Sequence, residues 1–283
     1  MSSSTALPVH EVYALRYGTV ERKERDNFLS PQAADAHDGP MPLDFFVWLI
    51  RSNDRLILVD TGFSAPAADK RKRSFLCPPD QALRHFGVTP EEIGDVVITH
   101  MHYDHAGNLP MFPNARIHLQ DKEMQFATGR CMCHPTFRHF LEVEDVKAMV
   151  DRLFADRVVF HEGDEEIAPG VWVHHIGGHT LGLQVVRVHT ARGWVVLASD
   201  AAHFYRNMQI RNPFPAIVDL MQMLEGYNKI ERLAPSPDHI IPGHDPLVRQ
   251  RYRRLPLEAV DVFALHEPPR MALSAQPVGA RHG

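Results

Sequence analysis

The alternation of hydrophobic and polar positions predicts two groups of strands, each followed by helices. HEVYALRYGTV (10–20) alternates as a half-buried strand does. DFFVWLIRSNDRLILVDTGF (44–63) is typical of two strands joined by a turn at Ser52-Asn53-Asp54. Short strands are also predicted at DVVIT (95–99) and RIHLQ (116–120). Helices are predicted at PPDQALRHFGV (78–88), at 121–128 and, from its apolar spacing, at 139–153.

The second half of the chain repeats this order. Glycines separate three predicted strands, GVWVHHIGGHT (170–180), LGLQVVRVHT (181–190) and GWVVLASDAAHF (193–204). A long helix is predicted over PAIVDLMQMLEGYNKIERLA (215–234), followed by a short strand in DHIIPGHDPL (238–247). No linker or repeat interrupts the chain of 283 residues, so we expect one α/β domain over 1–283, or two packed halves.

Composition narrows the functional classes. The net charge of −5 and the lack of a long basic face argue against nucleic-acid binding, and the run Lys70-Arg71-Lys72-Arg73 is interpreted as a solvated surface turn. No apolar run reaches the ~20 residues that span a membrane, and the N-terminus lacks a signal-peptide pattern, so a cytoplasmic location without membrane partners is expected. Three cysteines, Cys77, Cys131 and Cys133, are expected to be ordinary thiols.

Three histidines and an aspartate directly follow an apolar strand in VVITHMHYDHAGN (96–108). His100 and His102 are two residues apart, so in an extended segment they face the same side, and Asp104 and His105 follow as the chain curls. Imidazole and carboxylate groups are the ligands that Zn²⁺ and related ions prefer. Packing them together without a cation would leave buried polar groups uncompensated. We therefore interpret the cluster as a metal site rather than as a polar turn.

Later apolar strands end in further metal-ligand side chains. IGGHT closes one of these strands at His179, VVLASD ends at Asp200 and HIIPGH ends at His244. Ligands that converge from several strand ends would form a rigid site, which a metal ion requires.

Together, HMHYDH, the histidine after Gly-Gly, the aspartate that ends VVLASD and the late PGH resemble the metallo-β-lactamase superfamily from about Asp60 to His244. The resemblance implies an α/β fold, an αββα sandwich of two mixed sheets flanked by helices. It also implies two divalent metal ions, with zinc expected first and iron, manganese or cobalt as alternatives. The implied ligands of one ion are His100, His102 and His179, those of the other are Asp104, His105 and His244, and Asp200 bridges both. Asp60, in LVDTG, would support the site without binding metal.

Within this superfamily, HMHYDHAGN, Asp200-Ala-Ala and SPDHIIPGHDP look most like the N-acyl homoserine lactonase branch. The branch implies a small-molecule lactone or ester substrate whose carbonyl is attacked by a metal-bridging hydroxide. The loop-rich segment 22–41 is expected to cover this substrate. A glyoxalase II-type thioester hydrolase, another ester- or amide-cleaving relative and a non-enzymatic metal-stabilised domain stay open as alternatives. A homodimer and a monomer are both open for this chain.

One departure from the branch concerns the substrate carbonyl. Such lactonases place a tyrosine three residues after the bridging aspartate, where this chain has His203, and Tyr205 follows two residues later. We expect His203, without binding metal, or else Tyr205 to donate a hydrogen bond to the carbonyl, and Asp104 to help protonate the leaving oxygen. Aromatic residues that could reach the substrate are Phe28, Phe126, Phe137, Phe140, Phe204 and Phe214.

Overall fold

The computed structural model describes residues 7–52 and 54–273. Two β-sheets pack face to face, and helices cover the outer face of each sheet. The predicted αββα sandwich of two mixed sheets is therefore confirmed. The predicted turn at 52–54 includes Asn53, which lies outside the described residues.

The larger sheet has nine strands among the described residues, in the order β13-β14-β1-β2-β3-β5-β6-β7, with β4 paired to β1. These strands are β1 (Glu11–Val20), β2 (Leu43–Arg51), β3 (Leu56–Val59), β4 (Ser74–Phe75), β5 (Asp95–Val97), β6 (Arg116–Gln120), β7 (Val158–His161), β13 (Arg253–Arg254) and β14 (Asp261–Ala264). Strands β3, β5, β6 and β7 run parallel, so their carboxyl ends meet at one edge.

The smaller sheet has five strands in the described part of the chain, in the order β12-β11-β10-β9-β8. They are β8 (Glu165–Ala168), β9 (Val171–His175), β10 (Gln184–Thr190), β11 (Gly193–Ser199) and β12 (Ile240–Pro242). The last two pair in parallel, and their carboxyl ends also lie together.

The α-helices of the described chain connect these strands or pack on them. They are α1 (Ala65–Arg71), α2 (Pro79–Phe86), α3 (Tyr103–Ala106), α4 (Asp121–Thr128), α5 (Pro135–Arg138), α6 (Val143–Phe154), α7 (Tyr205–Gln209), α8 (Leu220–Leu233) and α9 (Leu247–Arg251). Short 3₁₀ helices lie at Glu24–Asn27, Pro90–Glu92, Leu109–Met111, Arg130–Cys133 and Pro237–His239. None of the helices in the described ranges has the length and apolar character needed to cross a membrane.

Side chains on alternate faces of the strands pack into separate hydrophobic layers. In β2, Trp48 and its alternate neighbours face the smaller sheet, whereas Val47 and Leu49 face the helices of the larger sheet. Both faces of β2 are therefore buried, which explains why its sequence is apolar without interruption from Phe45 to Ile50. On the far side of the smaller sheet, Tyr227 and Ile230 of α8 pack against β10 and β11.

The observed boundaries refine the predictions at several points. The helix predicted over 139–153 begins at Val143, because Pro135–Arg138 forms a separate short helix before it. The helix predicted from Pro215 begins at Leu220, where the side chain of Asp219 caps it by accepting from the Gln222 N–H at 3.0 Å. Strands β7, β8, β13 and β14 were not predicted, because they are short and lack a clear alternation. Cys77, Cys131 and Cys133 are free, as expected.

Candidate metal centre

The histidine and aspartate side chains predicted to bind metal meet at one edge of the two sheets. His100, His102, His179 and Asp200 form one buried group whose ligand atoms lie within 4.8 Å of one another. Asp104, His105 and His244 form a second buried group by the same measure. The fold thus brings together all the side chains that the sequence predicted as metal ligands, although they come from widely separated segments of the chain.

Asp200 lies between the two groups, and each of its oxygens faces a different one. Its Oδ1 is 2.8 Å from His244 Nε2 and 3.2 Å from His105 Nε2. Its Oδ2 is 3.2 Å from His179 Nε2 and 3.7 Å from His100 Nε2. A carboxylate in this position can serve two ions at once.

The backbone conformation at two strand ends lets the ends of the two sheets approach each other at the centre. Asp60 follows β3 and Ser199 ends β11, and both adopt left-handed backbone with φ of 62° and 45°. The Oγ1 of Thr99 lies 2.8 Å from Asp60 Oδ2 and 2.8 Å from Ser199 Oγ, so it joins the ends of both sheets. At Gly243 a Cβ would lie 2.8 Å from the Ser199 carbonyl oxygen, so the chain before His244 needs glycine for this close approach.

Hydrogen bonds on the far side of the rings fix their orientation. The Nδ1 of His105 is 2.7 Å from Asp60 Oδ2, that of His244 is 2.9 Å from the Asp44 carbonyl oxygen, and that of His179 is 2.6 Å from the Ala216 carbonyl oxygen. A proton on each Nδ1 leaves each Nε2 free to face the cluster. This is the arrangement in which outer partners orient metal-binding histidines, and Asp60 supports the site as its motif implied.

The pKa values of the clustered side chains are shifted by burial and by the charges of their neighbours. Burial lowers the pKa of His100 and His102 well below the usual value, and neighbouring imidazoles lower it further. Burial also opposes the charge on His105, but Asp200 and Asp60 hold its pKa well above the usual value. Burial would raise the pKa of Asp200, but the surrounding imidazoles hold it well below its usual range.

The donor set fits divalent metal ions. The Nε2 atoms of His100 and His105 are buried and have no hydrogen-bond partner among the described residues. A buried polar atom without a partner costs roughly 1–3 kcal/mol, and both atoms face Asp200 within the clusters. Imidazole nitrogens and carboxylate oxygens at this spacing suit zinc and similar ions.

Two cavities meet at this centre. A small cavity of about 80 Å³ has Asp104, Asp200 and His244 in its wall. A larger cavity of about 470 Å³ has a mostly apolar wall. His102 and His179 belong to the walls of both cavities, so a molecule could contact the centre while an apolar part fills the larger space.

The structure separates the two candidate carbonyl donors. His203 lies at the centre, with Nε2 3.1 Å from Asp200 Oδ2 and its ring stacked on Phe214 at 3.9 Å. Tyr205 is instead buried between the sheets, with Arg251 4.8 Å from its ring centroid, and it is absent from the walls of both cavities. Of the three residues predicted to act on the substrate, Asp104 and His203 therefore lie at the centre and Tyr205 does not.

His203 also lies where it could bind an ion. With Asp200 and His244 it forms a third group whose ligand atoms lie within 4.8 Å. Burial lowers the pKa of His203 to about 3 although Asp200 raises it, so the ring is neutral near pH 7. Its Nδ1 has no partner among the described residues.

The candidate aromatic residues divide between the cavities and the core. Phe126, Phe137 and Phe140 line the larger cavity, and Phe140 and Phe214 line the smaller one. Phe28 and Phe204 are buried and belong to neither wall.

The segment 22–41, which is predicted to cover the substrate, contacts residues that follow His203 in the chain. The Arg206 side chain pairs with Glu24 and donates to the Ala34 carbonyl at 2.6 Å, and the Leu29 N–H donates to the Pro213 carbonyl at 2.8 Å. Arg22, at the start of the segment, lines the smaller cavity. The covering role of the segment 22–41 stays a prediction.

The basic run 70–73 differs from its sequence interpretation. Lys72 is exposed, as expected of a solvated turn. Arg71 and Arg73 are partly buried and line the smaller cavity, with guanidinium carbons 3.9 and 5.9 Å from the Tyr103 ring centroid. The solvated-turn interpretation was therefore wrong for these two arginines, because a tyrosine from the histidine motif draws both inward.

Comparison with a family model and with known proteins supports the resemblance seen in the sequence. The family model of the metallo-beta-lactamase superfamily matches residues 46–244. The chain belongs to this superfamily. An N-acyl homoserine lactonase of a Bacillus species is 29% identical over 189 residues, covering 61% of this chain and 70% of the relative. N-acyl homoserine lactonase AiiB of Agrobacterium fabrum is 28% identical over 198 residues, covering 64% of this chain and 71% of the relative.

The fold is also shared with solved structures of the superfamily. The crystal structure of a quorum-quenching N-acyl homoserine lactone lactonase superimposes with a TM-score of 0.69 at 24% identity. The superposition covers 86% of this chain and 95% of the lactonase. At that identity the likeness establishes the superfamily fold.

Glu123 supports the centre and was missed by sequence reasoning. It is fully buried on α4, where one oxygen accepts from the Met101 N–H at 2.7 Å. The other oxygen accepts from Thr180 Oγ1 at 2.6 Å and from the Gly182 N–H at 3.0 Å. It therefore ties the loop of His102 to the loop of His179. No sequence signal marked it, because DKEMQFAT is equally typical of an exposed helix start.

We expect Glu123→Ala to lower the free energy of unfolding by about 3 kcal/mol, because it leaves three buried donors without their acceptor. Glu123→Gln should lose less, since its amide oxygen can still accept from some of them. Denaturant unfolding followed by circular dichroism measures both changes.

Gln125→Ala is the matched control, because Gln125 is exposed on the same helix. Its effect should stay within about 0.5 kcal/mol. Equal stability of the Glu123→Ala and Gln125→Ala variants would show that Glu123 does not hold the two loops together.

Proposed function

We propose that this member of the superfamily is a dinuclear metallohydrolase that opens a lactone ring. The observation that carries the proposal is Asp200, whose two oxygens face two separate histidine groups. The similarity to N-acyl homoserine lactonases over about 190 residues supports a lactone as the substrate. Thioester hydrolysis of the glyoxalase II type is the alternative.

In this proposal His100, His102 and His179 hold one divalent ion, Asp104, His105 and His244 hold the other, and Asp200 contacts both. Zinc is the first choice for these ligands, and iron, manganese or cobalt fit the same chemistry. Such ions, when bound, supply an activated water nucleophile at neutral pH and a Lewis acid for the carbonyl.

The protein's own groups orient the substrate beside these ligands. His203 is stacked on Phe214, with Nε2 3.1 Å from Asp200 Oδ2. When Asp200 holds the ions, the single N–H of this neutral ring would be free of Asp200 and could donate to the carbonyl oxygen as negative charge develops there. Asp104 lies in the wall of the same cavity and is placed to pass a proton to the leaving ring oxygen. Phe126 and Phe137 line the larger cavity, where they would bind an apolar substituent of the lactone.

The reaction class is tested with a panel of substrates. We expect acid release, measured with a pH indicator, from lactones of short and long acyl chain, and no efficient thiol release from glutathione thioesters. Removal of metal with a chelator should abolish the acid release, and added zinc should restore it. Efficient thiol release without ring opening would move the assignment to thioester hydrolysis, and activity unaffected by the chelator would contradict a metal-dependent reaction.

His203→Ala should lower kcat on the best lactone by roughly 10²–10³, the usual loss for one oxyanion donor, while metal content stays unchanged. Tyr205→Phe is the matched control, because the Tyr205 hydroxyl is buried in the core without a hydrogen-bond partner among the described residues. Its kcat should stay near that of the unaltered protein. Loss of one ion from the His203→Ala variant, measured by elemental analysis, would instead make His203 a metal ligand.

A further inference from the structure

Three arginines line the small cavity beside the metal-binding groups, in a protein whose net charge is −5. They are Arg22, after β1, and Arg71 and Arg73, at the end of α1 and before β4. None of them lines the larger apolar cavity. Positive charge is thus concentrated in the wall of the small cavity and is absent from the part of the wall that it shares with the larger cavity.

Arg71 differs from the other two because its charge is already balanced. Its guanidinium forms a salt bridge with Glu142 at 2.8 Å and donates to the His139 carbonyl at 2.7 Å. It therefore ties α1 to the segment of Phe140 and has little left to offer a ligand.

Arg22 and Arg73 form no salt bridge within residues 7–52 and 54–273. Arg22 donates to the Asn27 side chain at 2.8 Å, and Arg73 donates to the Tyr103 hydroxyl at 2.9 Å. Both are partly buried. Arg22 also donates to the Asp26 carbonyl at 2.5 Å. Burial lowers the pKa of Arg22, the Asp26 charge raises it, and the Arg73 charge lowers it further. Two cations that lie in the wall of one cavity, each without a salt-bridge partner among the described residues, are stabilised when an anion joins them.

The contacts of both arginines connect them to the reacting groups. Arg22 lies 5.0 Å from the centroid of Phe214, the ring on which His203 stacks. Arg73 is fixed by Tyr103, the neighbour of Asp104. An anionic group bound by the pair would therefore lie one side chain away from His203 on one side and from Asp104 on the other.

We propose that Arg22 and Arg73 bind a carboxylate carried by the substrate in addition to its lactone group. This inference rests on the proposed function and names its substrate class, an acidic lactone. The planar guanidinium fork matches a carboxylate with two parallel hydrogen bonds. The cavity of about 80 Å³ suits a small acidic group, while an apolar part of the substrate could extend into the larger cavity.

The test compares two lactones of equal size, the γ-lactone of α-hydroxyglutarate, which keeps one free carboxylate, and its carboxamide. We expect a kcat/KM at least about tenfold higher for the carboxylate. Arg22→Gln or Arg73→Gln should each lower the ratio of the two kcat/KM values by about threefold, and the double variant should remove the preference. Arg73→Lys should keep part of it, because the charge stays and the fork is lost.

Arg25→Gln and Lys72→Gln are matched controls, since both residues are exposed neighbours in the same two segments. They should keep the ratio of the unaltered protein. A ratio that is the same in the unaltered protein and in the double variant would overturn the carboxylate subsite while lactone hydrolysis stands.

If neither lactone is hydrolysed, the proposed function fails for this ring, and binding decides the subsite separately. Calorimetry then compares α-hydroxyglutarate with the amide of its α-carboxyl group. Binding of the diacid that is about tenfold weaker in the double variant supports the arginine pair. Equal affinity of both compounds in both proteins overturns it.

Discussion

The site depends on placing one carboxylate, Asp200, at the meeting point of two sets of buried histidines. Its oxygens lie 2.8 Å from His244 and 3.2 Å from His179, so it is shared by both sets. Burying so many polar groups together is costly unless each has a partner. The αββα sandwich meets this need by bringing the carboxyl ends of β3, β5, β11 and β12 to one edge. The two sheets form a rigid scaffold, and the candidate ligands lie just after the carboxyl ends of their strands.

A surrounding layer of polar contacts keeps that frame in register. Asp60 orients His105, and Thr99 joins the ends of the two sheets through Asp60 and Ser199. Glu123 ties the two remaining histidine loops together. These contacts between the protein's own groups orient the candidate ligand side chains. Beside this layer, the larger cavity has a mostly apolar wall, and the smaller cavity is lined by His203 and three arginines.

Much of this could be predicted from the sequence, because the ligands follow apolar strands within short motifs. His100, His102, Asp104 and His105 mark themselves by local spacing, and later strands contribute the other ligands. Glu123, Arg22 and Arg73 could not be found in this way, since each acts through partners from distant segments that only the fold brings near. The same limit applies to Tyr205, whose position two residues after His203 gave no sign that its side chain turns into the core.

The most direct test of the account is anomalous diffraction from crystals of the metal-loaded protein. The account predicts two anomalous peaks, one bound by His100, His102 and His179 and the other by Asp104, His105 and His244, with Asp200 between them. Each ligand atom should lie about 2.0–2.2 Å from its ion, as expected for zinc. A single peak, no peak, or two peaks that Asp200 does not join would contradict the dinuclear centre.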